Sequence, residues 1–269
     1  MKVAIIITPE KADQNIKNNL NFHETNEEFK GRKVLNFQNL YLYEIDERSI
    51  FSENLDKEIE ADLFVFATKH SSASKKPSLT CHPIGNWSKA EFGGKDRTLV
   101  KAPAQYLKQF YLSLKKHESL IESEITLEIT HHGPYLETPT MFVEIGSCEE
   151  QWVNEEFGRI LAQCIREVFT QEYEEEKTCI FIGGGHYNSS SNKIMERSNY
   201  AVGHMCPKYM LEHLDKEMIL EAIEKTTPKA DLVIVDWDGL GKSKQNVIDI
   251  LENNNIKYER IKKFLKEYS

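Results

Sequence analysis

No stretch of this 269-residue sequence approaches the roughly 20 consecutive apolar residues that a membrane-crossing helix requires, so no helical span is expected. Cysteine is sparse. The five cysteines, Cys81, Cys148, Cys164, Cys179 and Cys206, are odd in number, irregularly spaced and without a C-x-x-C pair. That argues against a disulfide framework and against a finger or ribbon zinc site, and it predicts reduced, intracellular thiols. The opening run, MKVAIIITPEK, carries no small-residue cleavage site and reads as a first strand instead of a secretory signal. Several catalytic signatures are missing too: there is no H-E-x-x-H and no G-x-S-x-G elbow. The segment GLGKS falls short of a phosphate-binding P-loop because Asp236 stands where its first glycine belongs. GGGHYN falls short of a dinucleotide fingerprint because Asn188 replaces the third glycine.

What is present is an ordinary globular composition, 40% hydrophobic and 29% charged, with no internal repeat and no linker-like segment. One α/β domain over residues 1–269 is expected. The net charge of -9 is unevenly spread. Between Lys69 and Lys116 ten Lys/Arg face two acids, an island of +8 that leaves -17 for the remainder. Its first part, about 69–101, is rich in Ser, Pro and Gly, has no sustained period, and interleaves Trp87 and Phe92 with cations. It reads as a functional loop-rich insertion. Lys75, Lys76, Lys89, Lys95, Arg97 and Lys101 are its candidate phosphate contacts.

Hydrophobic patterning predicts strands over 2–8, 40–45, 62–70, 125–132, 140–145, 179–182, 200–204 and 231–236. It places helices from near Glu10, from Pro103, over 216–224 and over 244–253. Ser147 and Glu150 suggest a capping box for a further long helix carrying Val153, Phe157, Ile160, Leu161, Cys164, Ile165, Val168 and Phe169. Such alternation implies a single three-layer α/β domain with a mostly parallel mixed sheet. Four of its strands run out into histidine, at His70, at His131 and His132, at His186 and at His204, and a fifth ends on Asp236 and Asp238. Ligands bind outside the carboxyl ends of strands in open α/β sheets, so these endings predict one His-lined rim.

The histidines suit a metal with an open position for water, gathered from separate loops. His131, His132, His186, His204, His70 and His82 are the candidate ligands, the first four leading, with Cys81, Cys206 and Glu137 as supplements. The same histidines also suit metal-free acid/base work. Gly184 and Gly185 can aim N–H groups at an oxyanion or phosphate, or form a glycine bulge at the sheet rim. Lys242 can meet an anion at a helix start, and Ser189, Ser190 and Ser191 read as turn and cap residues.

The pieces SSASKKPSLTCHPIGNW, THHGP with Glu137, Thr138 and Pro139, IGGGHY, YAVGHM and VDWDGLGK occur in this order over nearly the whole length. In that set the sequence resembles the D-aminoacyl-tRNA deacylases of the archaeal and plant type. The resemblance implies a cytoplasmic hydrolase that cleaves the ester between a D-amino acid and tRNA, a proofreading step in translation. It also implies bound zinc, a tRNA partner, and a core similar to peptidyl-tRNA hydrolases and nucleoside phosphorylases. On that reading His131, His132, His186 and Glu137 are the catalytic candidates, and Gly184 and Gly185 complete an oxyanion site. A tRNA-binding module without catalysis and a phosphorylase-like small-molecule enzyme are the competing readings.

Overall fold

Two large sheets with helices packed against them carry the structure, a computed structural model that describes residues 1–268. Ser269, the last residue of the expected domain, lies outside the described residues. The strands of these sheets are β1 Val3–Ile7, β2 His23–Phe29, β3 Arg32–Phe37, β4 Leu40–Glu44, β5 Leu63–Lys69 and β6 Ser78–Pro83. They continue with β7 Glu124–Leu127, β8 Thr140–Gly146, β9 Lys177–Ile182, β10 Tyr200–Cys206, β11 Leu232–Val235 and β12 Tyr258–Arg260. The first eight form a mixed sheet in the order β7-β6-β8-β5-β1-β4-β3-β2. The last four form a wholly parallel sheet in the order β10-β9-β11-β12. The α/β class is as expected, but the strands are divided between two sheets.

The division has a local cause. Beyond β7 the chain stays extended and leaves the first sheet for the second: Ile129 N–H donates to His186 O at 3.0 Å and Thr130 N–H to Met205 O at 3.0 Å. The Thr130 hydroxyl also accepts from Met205 N–H at 2.9 Å. Residues 129–130 are therefore stitched to β10 and to the segment after β9, while the carbonyls of His131 and His132 accept from Gly85 N–H beyond β6.

Alternation sorts the side chains of the site-bearing strands. Val65, Ala67, Leu79, Cys81, Ile125, Leu127, Ile129, Met141, Val143 and Ile145 fall on one face and belong to the main apolar core. Their neighbours along each strand, Thr68, Thr80, His82, Thr126, Glu128 and Glu144, fall on the other and are buried polar groups. Helix α1 (Lys11–Leu20), helix α2 (Ala104–Lys115) and helix α3 (Glu155–Phe169) cover the apolar face. α2 buries Leu107, Phe110, Tyr111 and Leu114 as its spacing predicts.

Two expectations are corrected here, and one hairpin appears that no expectation covered. Residues 78–83 are a buried strand flanked by β7 and β8, not part of a loop. Residues 23–37 form that hairpin at the far edge of the sheet, its first strand mostly exposed and its second burying Val34. The long helix starts at Glu155, where the Asn154 side chain accepts from Glu156 and Phe157 N–H. Cys148 and Gln151 instead cap a separate short helix, Glu149–Trp152, and Val153 is exposed.

One buried acid ties α1 to β1. Asp13 accepts from the N–H and hydroxyl of Thr8, both at 2.8 Å, and burial pushes its carboxyl pKa up to about 7 from 3.8. Between those values the folded chain keeps a proton that the unfolded chain has lost, so stability falls as pH rises through this window and levels off above it. Asp13→Asn removes that titration. In urea melts from pH 4 to 7.5 the wild type is expected to lose on the order of 4 kcal/mol relative to the variant. Parallel profiles would show that Asp13 is ionised throughout.

Candidate active site

Five strand segments deliver one cluster. His70 follows β5, His82 lies on β6, Glu128, His131 and His132 follow β7, Glu144 lies on β8, and His186 follows β9. In the β6–β8 ladder His82 stands opposite Phe142 and Thr80 opposite Glu144. Period-two geometry places these side chains and that of His70 on the same face. The imidazoles pack ring to ring, with centroids 4.3 Å apart for His82–His131 and His131–His132, and 4.8 Å for His131–His186.

The hydrogen bonds fix how each ring is presented. His82 Nδ1 lies 3.0 Å from Pro83 O, His131 Nδ1 2.8 Å from Ile129 O, and His132 Nδ1 2.6 Å from Gly133 O. A carbonyl only accepts, so each Nδ1 carries a proton and each Nε2 has a lone pair in the neutral ring, although at His82, where burial opposes protonation, the Glu144 and Glu128 carboxylates raise the pKa. His186 differs: its Nε2 lies 2.8 Å from Glu128 Oε2, which leaves Nδ1 as its free nitrogen. His132 is held at φ 45°, a left-handed conformation that a non-glycine residue adopts at some cost.

Glu128 and Glu144 are wholly or almost wholly buried, and among the described residues Glu128 Oε1, Glu144 Oε2 and His82 Nε2 have no hydrogen-bond partner. Their neighbours are ionic: His70 Nδ1 lies 3.3 Å from Glu128 and 3.5 Å from Glu144, and His82 Nε2 lies 3.6 Å from Glu144. Burial opposes ionisation of Glu128, but His186, with help from His82 and His70, holds its pKa below the ordinary value. Glu144 is likewise held down by His70 and His82 against burial. Burial also opposes protonation of His70, yet the two carboxylates push its pKa up to about 9. His132 goes the other way, down to about 4, through burial and the neighbouring His82, and burial with its His neighbours also lowers His131. Two ionised carboxylates thus sit among imidazoles of which His131 and His132 are kept neutral.

Three groups of donors lie within 4.8 Å of one another: His82, His131 and His132; His70, Glu128 and His186; and His82, Glu128 and Glu144. Three cavities touch the cluster: a small one of about 70 Å³ reaches Glu144 past Thr68 and Phe142, and two larger ones reach the histidines. One of the larger two, of about 260 Å³, runs past His131 and His132 between Trp87, Phe92 and Tyr209. The other, of about 340 Å³, is lined by His70, His186, Tyr187, Ser72, Lys76 and Glu124.

The glycine run after β9 borders the cluster. Gly183 and Gly184 have φ 119° and 80°, and a Cβ on Gly183 would come within 2.7 Å of the Asp236 Cβ, so the turn requires glycine. Among the described residues the N–H groups of Gly184 and Gly185 have no backbone acceptor.

A model of the D-aminoacyl-tRNA deacylase family matches residues 57–259. The chain belongs to that family. Enzymes named D-aminoacyl-tRNA deacylase from Pyrococcus furiosus and Archaeoglobus fulgidus are 39% and 30% identical to it. The first comparison covers 89% of this chain and 92% of the relative, the second 100% and 99%. A solved structure described as a conserved protein of unknown function superposes with TM-score 0.91 at 29% identity, over 99% of this chain and 98% of that one.

Within this deacylase the expected site residues separate. His131, His132 and His186 come together as expected, joined by His70 and His82. His204 joins none of the donor groups: it is buried on β10, with Nδ1 3.2 Å from the Thr130 hydroxyl and its ring edge-on to Trp87. Cys81 and Cys206 are buried and outside the groups as well. Glu137 is an exposed residue paired with Lys57 at 2.9 Å. Lys242 is exposed in a short turn before the last long helix. Glu128 and Glu144 were not singled out, although each interrupts an apolar strand at an alternate position, in ITLEIT and TMFVEI.

The basic island is largely neutralised by acids outside it, most of them distant in sequence. Lys69 pairs with Glu10, Arg97 with Asp215, Lys108 with Glu176, Lys115 with Glu118 and Glu196, and Lys116 with Glu167. Lys89 pairs with Asp96 within the island. Among the described residues Lys75, Lys76, Lys95 and Lys101 have no ion pair, and all four are exposed.

Proposed function

We propose that the chain hydrolyses the ester between a D-amino acid and the terminal ribose of tRNA in the cytoplasm, with His186 as the base. The observation that carries this is the His186–Glu128 pair beside the unpaired N–H groups of Gly184 and Gly185, in a chain of this family. Glu128 fixes the His186 tautomer by accepting from Nε2–H, so Nδ1 can take a proton from the attacking water. The same nitrogen then returns the proton to the ribose oxygen as the C–O bond breaks, which leaves a carboxylic acid and a ribose hydroxyl. The N–H groups of Gly184 and Gly185 stabilise the charge that develops on the carbonyl oxygen. Glu128 is a positioning residue, because it acts through His186.

Zinc fits three other residues. His82, His131 and His132 each spend Nδ1–H on a main-chain carbonyl and keep Nε2 as a donor, the arrangement usual for metal-ligating histidine. His82 Nε2 is orphaned, and the two buried carboxylates nearby favour a cation in their midst. We assign zinc to this trio instead of a set that includes His186 and His204. When bound there, zinc supplies Lewis acidity toward water and toward a carbonyl oxygen.

Three experiments test this reading. In single-turnover deacylation of D-tyrosyl-tRNA, His186→Ala is expected to slow release roughly a hundred to ten thousand fold with tRNA affinity kept. Near wild-type rates for His131→Ala, His132→Ala and His186→Ala alike would remove the cluster from the chemistry. Elemental analysis after zinc reloading should find the ion in wild type and in His204→Ala but not in His82→Ala; zinc retained by His82→Ala would refute the trio. For tRNA binding, replacing Lys95 and Lys101 by Ala should flatten the log-log salt slope by roughly 0.7 to 0.9 per lost phosphate contact. Lys89→Ala and Arg97→Ala should change it less, since those cations already have carboxylate partners. An unchanged slope in the first pair would place the RNA elsewhere.

A further inference from the structure

We infer that the cavity beside His131 and His132 holds the terminal adenosine of the tRNA, with its base between Phe92 and Tyr209. This rests on the ester-hydrolase reading above and assigns the two halves of the substrate to the two larger cavities. The exposed large apolar side chains include three aromatics, Phe51, Phe92 and Tyr209, and two of these three border this one cavity. Phe92 is 61% exposed and Tyr209 48% exposed, an arrangement that costs solvation unless something covers them. A flat base stacks on such rings whatever its edge pattern.

A second observation points to a polar ligand. Trp87 also lines the cavity; it is only 3% exposed, and its indole N–H has no partner among the described residues. A buried donor of that kind asks for an acceptor, which an adenine ring nitrogen or a ribose oxygen provides. The volume, about 260 Å³, suits one nucleoside and not several. The rim loop is anchored as well: the Asn86 side chain, which lines the cavity, donates to Gly93 O at 2.9 Å and to Lys95 O at 3.4 Å. Among the described residues the Lys95 ammonium on this loop has no carboxylate partner and lies 3.5 Å over the Tyr135 ring, so a phosphate leading into the terminal nucleoside competes only with that ring for it.

The other cavity has a different character. It carries Ser72, Ser74, the Lys76 ammonium and the Glu124 carboxylate, a mixed-charge lining in which Glu124 is the counter-charge for the α-ammonium of an aminoacyl group, and no exposed aromatic pair. The ester then lies across the histidines, with the nucleoside past His131 and His132 and the amino acid past His70 and His186.

The test is the Phe92→Ala, Tyr209→Ala double variant of the full chain, with D-alanyl-tRNA and D-tyrosyl-tRNA as substrates. Both side chains are largely exposed, so the fold should tolerate their removal; circular dichroism checks this. KM should rise on the order of tenfold, the worth of about one stacked base, and by the same factor for both substrates. Adenosine monophosphate should compete with substrate in wild type and lose that competition by a similar factor in the variant. An unchanged KM, or a rise confined to D-tyrosyl-tRNA, would overturn the assignment, the latter by showing that the cavity takes the amino-acid side chain. Absence of amino-acid release by the wild type would instead defeat the hydrolase reading itself.

Discussion

Two carboxylates buried among five imidazoles set the terms for this part of the molecule. Glu128 and Glu144 are removed from water almost completely, and an ionised carboxylate there is unaffordable unless positive charge or several hydrogen bonds meet it. The histidines supply both: His186 bonds Glu128, while His70 sits between the two acids within 3.5 Å of each. The partial mismatch is informative. His82 Nε2 and one oxygen on each acid have no hydrogen-bond partner, so the cluster has capacity for one more electropositive centre.

The strand register serves this arrangement. β6 runs antiparallel to β8 and parallel to β7, which brings His82, Glu144 and the start of the Glu128 segment onto one face while Leu79, Cys81, Met141 and Val143 close the other. A shift of one residue in any of these ladders would exchange the two faces, placing a carboxylate in the apolar core and a valine or cysteine in the site. The apolar core therefore locks the polar cluster in register, and the cluster needs no rigidity of its own beyond the main-chain carbonyls that hold His82, His131 and His132.

Much of this was legible in the sequence, and the failures have physical reasons. Strands running out into His70, His131 and His186 announced the rim, because the ends of buried strands are short, apolar and unmistakable. His204 follows the same pattern but stays within its strand, since β10 continues to Cys206 and turns the ring toward Thr130 and Trp87. His82 was placed in a loop because Pro77, Pro83 and Gly85 punctuate a strand whose stability comes from its two neighbours. The +8 island looked like an open RNA surface because charge counting along a chain cannot see partners such as Asp215 or Glu176, more than sixty residues away. The paired sheets were hidden for a similar reason: the stitching at Ile129 and Thr130 uses main-chain bonds, which leave no trace in composition.

That stitching makes the cluster a seam. Six of its seven titratable groups belong to segments of the eight-stranded sheet, but His186 and the glycine N–H groups arrive with β9, held to the rest through residues 128–130 and through an apolar core that the two sheets share. A chain in which the two sheets have parted keeps most of the acids and imidazoles together but without His186 and the glycine N–H groups. On the proposed mechanism, ester cleavage therefore requires the two sheets to be docked, and a chain in which they have parted would leave charged tRNA intact.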